Sequence, residues 1–214
     1  MTLRGLITDW GGVLTTPLHD AIEAWIQADD IDVDDYKVVM REWFLNAYAG
    51  AGAVSPVHGL EDGTMPAAEF ERRLAERLRT RGGAAVTAEG LLTRMFAAFE
   101  PVEPMYDLLR KARAAGIRTC LLSNSWGNSY PREQFAELFD GVVISGEVGL
   151  RKPDPEIFQH ALELLDLPPQ ECAFIDDIEH NTVAAERLGI VGVHHVDAPT
   201  TVTRLEQLFG VSLG

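Results

Sequence analysis

The sequence predicts an α/β fold in which a parallel sheet with helices on both faces is interrupted by a helical insert. Three observations predict it: five short apolar runs typical of buried strands, helical patterns between the later runs, and a long interval after the first run that contains no convincing strand. Strands that alternate with helices are typical of a parallel sheet. We therefore expect a Rossmann-like core with an inserted helical-bundle domain.

The apolar runs are five to seven residues long and are bounded by polar or glycine residues, as buried strands are. They cover residues 5–9, 117–123, 141–145, 172–176 and 192–196. Helical spacing of apolar residues follows between the later runs, at residues 102–115, 131–139, 155–165 and 180–188. This order predicts that each strand of the core returns to the sheet through a helix.

The interval from residue 16 to residue 99 is too long for a simple crossover connection. It contains amphipathic stretches at residues 21–28, 34–48, 67–79 and 87–99, and the segment 58–70 is predicted as a turn followed by a helix start. We therefore expect a core domain of residues 1–16 and 100–214 and a helical domain of residues 17–99. The connections should lie near residues 15–18 and 99–103.

The composition indicates a soluble chain that binds cations rather than polyanions. Acidic residues number 33 against 18 Lys and Arg, which gives a formal net charge of −15 and disfavours nucleic acid and anionic membranes as partners. Neither a charged leader with an apolar segment nor an apolar run of about 20 residues is present, so we expect a cytoplasmic protein. We further expect a monomer or a homodimer. Cys120 and Cys172 lie in apolar runs and are predicted to be buried, reduced thiols.

Polar side chains that carry chemistry stand at the ends of the predicted strands. Asp9 ends the first strand, Ser123 the second, and Asp176 with Asp177 the fourth, while Lys152 precedes the helix that follows the third. Because ligands bind beyond the carboxyl ends of parallel strands, these side chains should converge. A nucleophile, a hydroxyl, an ammonium and two acids are the components of a phosphoryl-transfer site.

Four motifs in the right order make the chain resemble the haloacid dehalogenase-like hydrolase superfamily. "DWGGVLT" resembles motif I, "LLSNS" motif II, the lysine of "RKPDPEIF" motif III, and "FIDDIEHNTVAAERLG" motif IV. The helical insert is similar to the cap of the C1 class. The branch it resembles is that of the phosphatase-like domains related to the N-terminal domain of soluble epoxide hydrolase.

The resemblance implies a catalytic nucleophile and a metal site. Asp9 would attack phosphorus and form an aspartyl-phosphate, which water then hydrolyses. Mg²⁺ would be held by Asp9, by the backbone carbonyl of Gly11 and by Asp177, with Asp176 beside it or acting through water. The substrate would be a small phosphorylated metabolite.

The same resemblance implies residues that bind substrate. Ser123 and the backbone N–H of Asn124 would contact the phosphoryl oxygens, and Lys152 would neutralise their charge and hold Asp9 in line. Asn181 is expected to fix the loop of motif IV rather than to contact substrate. Trp10 and Trp126 follow motif residues directly and either line the substrate pocket or pack against the cap.

Gly11 is a departure from the pattern of the superfamily. Its phosphatases usually carry at this position an aspartate that protonates the leaving group and later activates water. General acid–base assistance of this kind is typically worth about 10² to 10⁴ in rate. We therefore expect a phosphatase restricted to good leaving groups, or one that borrows an acid from the cap or the substrate. His58 and Glu61, which lie on a segment of the cap, are candidates to contact a substrate.

Two alternatives remain open at this stage. In a metal-free 2-haloacid dehalogenase the same aspartate would attack carbon. The adjacent Asp176 and Asp177 weigh against this alternative, because their negative charges would repel each other in a site that holds no cation. A non-catalytic binding domain would keep the fold without turnover. His194 and His195, in the last predicted strand, are expected to be structural.

Overall fold

The computed structural model describes residues 2–48, 55–127 and 130–214. The chain forms two compact units. The first, called the sheet unit below, comprises Met1–Pro17, Glu100–Asn124 and Tyr130–Gly214. The second, called the helical unit, comprises Leu18–Phe99 and Ser125–Ser129.

The sheet unit is built on five parallel strands, which confirms the predicted α/β fold. In chain order they are β1 (Gly5–Thr8), β2 (Arg118–Ser123), β3 (Gly141–Ile144), β4 (Cys172–Asp176) and β5 (Val191–His194). Their order in the sheet is β3-β2-β1-β4-β5. The chain therefore changes direction across the sheet between β1 and β4, and the carboxyl ends of these two strands form a topological switch point of the kind at which ligands bind.

The helical unit contains α1 (Leu18–Ala28), α2 (Val33–Tyr48), α3 (Pro56–Glu61), α4 (Ala67–Arg77) and α5 (Leu91–Met95). Its own apolar core includes Trp25, Phe70, Leu74 and Leu91. Two local predictions were wrong here. Residues 58–61 belong to a helix rather than a turn, because the Ser55 hydroxyl caps the Val57 N–H and Pro56 occupies the first turn. The predicted helix 87–99 is short because Gly90 precedes it in a left-handed conformation, with φ of 68°.

Among its described residues the sheet unit contains the α-helices α6 (Glu103–Ala114), α7 (Phe135–Leu138), α8 (Ser145–Val148), α9 (Pro155–Leu165), α10 (Glu179–Arg187) and α11 (Ala198–Phe209). Residues of α6, α7 and α11 pack with Leu6 and Leu121 on one face of the sheet. Residues of α9 and α10 pack with Ile7 and Phe174 on the other. Neighbouring strand residues thus point to opposite faces, which is why the strands are apolar throughout.

In the described ranges, no helix is both long enough and apolar enough to cross a membrane. Cys120 and Cys172 are free, buried thiols, as expected.

Candidate active site

Parallel pairing of β1 with β4 brings the predicted acids together. Thr8 lies beside Ile175, and the Asp9 N–H continues the ladder by donating to the Ile175 carbonyl at 2.9 Å. Asp9 therefore stands next to Asp176, the last residue of β4, with Asp177 directly after it. Oxygen atoms of these three carboxylates lie within 4.8 Å of one another.

Lys152 is buried between two of these carboxylates, with 2% of its surface exposed. Its Nζ lies 2.8 Å from Asp9 Oδ1 and 2.7 Å from Asp176 Oδ2. The backbone of Lys152 is held in turn by the Asn124 side chain, whose Oδ1 accepts from the Lys152 N–H at 2.8 Å and whose Nδ2 donates to the Lys152 carbonyl at 3.0 Å. No local pattern in the sequence predicts this contact between motifs II and III.

Asp176 is fully buried, and its carboxylate accepts hydrogen bonds from residues of motifs III and IV. Besides Lys152, it accepts from the Ile178 N–H at 2.8 Å and from Asn181 Nδ2, which lies 3.1 Å from both oxygens. Asn181 thus fixes Asp176 and the loop after β4, in agreement with its expected role. Asp176, held in this way, positions the Lys152 ammonium beside Asp9.

The turn after β1 requires one of its two glycines and leaves room at the other. Gly12 has a φ of 71°, and a Cβ on it would lie 2.3 Å from Asp177 Oδ2. At Gly11 a Cβ would meet no described atom within 4 Å, and its φ is not in the left-handed region. There is therefore room for a Cβ at Gly11, so this turn does not itself require glycine at that position.

Burial and repulsion from neighbouring acids make the carboxyls of Asp9 and Asp177 hard to ionise. Burial raises the pKa of Asp9 to about 7, an effect that Asp176 and Asp177 increase and Lys152 opposes. Burial, with the neighbouring Asp176, raises the pKa of Asp177 to about 6. Burial by itself would lower the pKa of Lys152, but attraction to Asp176 and Asp9 outweighs it and raises that pKa above its ordinary value. The Lys152 ammonium is therefore charged, whereas further positive charge nearby would favour ionisation of Asp9 and Asp177.

The donor atoms fit a small divalent cation. All three side chains offer carboxylate oxygens, the ligands that Mg²⁺ prefers, and Mg–O bonds of about 2.1 Å place ligand atoms up to about 4.2 Å apart. The three oxygen atoms all lie within 4.8 Å of one another, an upper limit close to that distance. Three ionised carboxylates beside the Lys152 ammonium would leave two negative charges, which one divalent cation neutralises.

Ser123 and Trp10 lie beside this cluster in the sheet unit. Ser123 ends β2 with 2% of its surface exposed, and its Oγ is 3.0 Å from the hydroxyl of Tyr130. Trp10 is buried, and its ring packs edge-on against Tyr106, Tyr130 and Phe135. These three rings belong to the sheet unit, so the observed packing of Trp10 is not the predicted packing against the cap. Substrate contact by Trp10 stays a prediction.

The other candidate residues have contacts of their own. Trp126 packs within the helical unit against Phe70 and Phe96 and donates from Nε1 to Glu61 at 3.2 Å. Its predicted contact with substrate, and those of His58 and Glu61, stay predictions.

His194, the last residue of β5, and His195, which follows it, have partners within the sheet unit. His194 Nε2 lies 3.0 Å from the carbonyl of Asp177, and His195 Nδ1 lies 2.8 Å from the hydroxyl of Thr201. Burial lowers the pKa of His195.

The fold and the site define a hydrolase of the α/β class that carries four ordered motifs around a carboxylate cluster. A family model described as haloacid dehalogenase-like hydrolase matches residues 3–189. The chain belongs to this family.

Relatives in the family include phosphatases. Sesquiterpene phosphatase astK of Aspergillus oryzae is 36% identical over 51% of this chain and 58% of its own length. Bifunctional epoxide hydrolase 2 of Sus scrofa is 26% identical over 100% of this chain but only 40% of its own length. The chain thus spans about half the length of these relatives, and the resemblance to the epoxide hydrolase branch is confirmed.

A solved structure of similar fold contains ligands relevant to the site. The HAD family enzyme BT-2542 of Bacteroides thetaiotaomicron, in complex with magnesium and inorganic phosphate, matches with a TM-score of 0.66 and 25% identity. The match covers 91% of this chain and 94% of that chain.

Proposed function

We propose that the protein is a Mg²⁺-dependent phosphatase that transfers a phosphoryl group from a small phosphorylated metabolite to Asp9 and then to water. The observation that carries the proposal is the cluster of Asp9, Asp176 and Asp177 around buried Lys152. The pKa values of Asp9 and Asp177 are raised, and with all three carboxylates ionised the cluster would keep two negative charges beside the Lys152 ammonium. Both features suit a site that binds a divalent cation.

The first half-reaction forms a bond between an Asp9 oxygen and phosphorus while the bond from phosphorus to the leaving oxygen breaks. Lys152 donates to Asp9 Oδ1, so the other oxygen is the candidate to attack. The Ser123 hydroxyl and the Asn124 N–H would donate to the phosphoryl oxygens. In the second half-reaction water attacks phosphorus, which releases inorganic phosphate and restores the Asp9 carboxylate.

The metal would be held by Asp9, Asp177 and the Gly11 carbonyl, with Asp176 beside it. Mg²⁺, when bound, supplies positive charge that offsets the repulsion between a carboxylate and a phosphoryl dianion. The solved relative with magnesium and phosphate supports this assignment.

Gly11 restricts the substrate. Without an acid at this position, the leaving oxygen departs without a proton from the site, so esters of acidic alcohols and phosphoanhydrides should react faster than alkyl phosphates.

A phosphatase among the relatives supports phosphoryl transfer in general, and the net charge of −15 supports a small partner rather than nucleic acid or membrane. We expect the protein to act in the cytoplasm as a monomer or homodimer.

Release of p-nitrophenol from p-nitrophenyl phosphate tests the proposal, because this substrate has a good leaving group. We expect turnover that requires Mg²⁺, stops with EDTA and is lost in Asp9→Asn. Glu163→Gln, which changes an exposed carboxylate on α9, is the matched control and should keep full activity.

Two outcomes would contradict the proposal. Turnover that survives EDTA, together with chloride release from 2-chloropropionate, would indicate the dehalogenase instead. Absence of turnover on both substrates, with Mg²⁺ bound or not, would indicate a non-catalytic binding domain.

A further inference from the structure

We propose that Tyr130 is a positioning residue that directs the hydroxyl proton of Ser123 toward a bound phosphoryl group. The inference rests on the proposed function and adds a residue to it. Its starting point is the contact of 3.0 Å between the Tyr130 hydroxyl and Ser123 Oγ, at the carboxyl end of β2.

The number of protons on the two hydroxyls fixes the direction of this hydrogen bond in the complex. Each hydroxyl has one O–H to donate and lone pairs to accept with, whereas a phosphoryl dianion only accepts. When Ser123 donates its proton to the phosphoryl group, it has none left for Tyr130. Tyr130 must then be the donor and Ser123 Oγ the acceptor.

Such a chain of two hydrogen bonds strengthens the contact with the phosphoryl group. A hydroxyl that accepts one hydrogen bond becomes a better donor in the other, and its O–H no longer rotates freely. Because Ser123 is buried, little water is available to take the place of Tyr130 as the donor. Tyr130 therefore acts through Ser123 and not on the substrate itself.

The surroundings of Tyr130 fix its ring in place. The ring packs edge-on against Trp10 with centroids 5.3 Å apart and against Phe135 at 6.2 Å. Trp10 directly follows the nucleophile Asp9, and Phe135 begins α7. Tyr130 thus contacts Trp10 of motif I with its ring and Ser123 of motif II with its hydroxyl, and packing on Trp10 holds the Tyr130 ring in position.

The variant Tyr130→Phe tests this role because it keeps the ring and removes the hydroxyl. We expect kcat/KM for p-nitrophenyl phosphate to fall about 5- to 30-fold, the loss expected for one hydrogen bond that supports a charged acceptor. The inhibition constant of inorganic phosphate should rise by a similar factor. Tyr106→Phe is the matched control, because its ring also packs on Trp10, and its activity should stay within about 2-fold of the wild type.

A double-mutant cycle separates positioning from a general structural effect. In the Ser123→Ala background, Tyr130→Phe should change kcat/KM by less than about 2-fold, since the group through which Tyr130 acts is gone. An equal loss in both backgrounds would overturn the inference, as would an unchanged Tyr130→Phe enzyme. If Ser123→Ala were itself fully active, this inference would fail while the proposed function, tested by Asp9→Asn, would stand.

Discussion

At the level of single residues, Lys152 controls the charge balance of the candidate site. Its ammonium contacts both Asp9 and Asp176 and is almost completely buried. Removing one partner of a buried ion pair leaves an uncompensated charge, which costs about 3–5 kcal/mol. Here a single substitution would leave two carboxylates without their cation.

We predict that Lys152→Met lowers the free energy of unfolding at pH 8 by about 3–5 kcal/mol and abolishes turnover. The loss should be smaller at pH 5, because the carboxyl of Asp9, whose pKa is about 7, is then protonated. Urea denaturation of the metal-free protein at both pH values measures the effect. Lys111→Met, an exposed substitution on α6, serves as the control. A loss equal at the two pH values would contradict the electrostatic explanation.

Gly11→Asp should restore the acid that the site lacks. Since a Cβ at this position meets no described atom within 4 Å, the side chain can be accommodated. We predict that kcat/KM for an alkyl phosphate such as glycerol phosphate rises about 10-fold or more, while that for p-nitrophenyl phosphate changes by less than about 3-fold. A parallel change for the two substrates would show that the residue does not protonate the leaving group.

At the level of elements, the turn after β1 shapes the metal site through Gly12. Its positive φ and its closeness to Asp177 exclude a side chain. We predict that Gly12→Ala lowers the free energy of unfolding by about 1–2 kcal/mol or more and weakens Mg²⁺ binding, because the Asp177 carboxylate must move.

Gly11→Ala is the matched comparison, one position earlier in the same turn. Since the φ of Gly11 lies outside the left-handed region and a Cβ there meets no described atom within 4 Å, the substitution should be neutral or stabilise the fold by up to about 1 kcal/mol. Thermal unfolding and a Mg²⁺ titration of both variants check this pair. Equal effects of the two substitutions would contradict the geometry described for the turn.

The elements of the sheet could be predicted from the sequence because their chemistry is local. Five apolar runs marked the strands, and the ends of three of these runs placed Asp9, Ser123 and Asp176 at one edge of the sheet. Parallel pairing then brings strand ends together whatever their separation along the chain. The main features of the fold and of the charged cluster follow from these two facts.

Other features depend on contacts that no local pattern encodes. The helix α11 was not predicted, although Asp197 caps it and Pro199 lies in its first turn. Tyr130 follows Ser123 at no characteristic spacing, and its role depends on packing against Trp10. The side-chain contacts of Asn124 with the backbone of Lys152 likewise join segments far apart in sequence.

At the level of the whole molecule, the site makes stability depend on pH and metal. Asp9 and Asp177 have pKa values of about 7 and about 6 in the folded chain, above their ordinary value of 3.8. The folded chain therefore keeps protons that the unfolded chain has released, and these groups lower the free energy of unfolding as the pH rises from about 4 to about 7.

We predict that Mg²⁺ raises the melting temperature more at pH 8 than at pH 5. Bound cation stabilises the folded chain by mass action, and at pH 5 it must compete with the protons on the carboxyls. Thermal scans with EDTA or with excess Mg²⁺ across this range measure the shift. Asp177→Asn should shrink it at pH 8, whereas a shift independent of pH would contradict the assignment of the metal site.

The central claim is that Asp9 carries the phosphoryl group during turnover. Acid quenching of the enzyme during hydrolysis of p-nitrophenyl phosphate, followed by mass spectrometry of its peptides, tests this claim most directly. We predict that the peptide containing Asp9 gains the mass of one phosphoryl group and that Asp9→Asn does not. Steady release of phosphate with no modified Asp9 at any quench time would contradict it, because water would then attack phosphorus without a covalent intermediate.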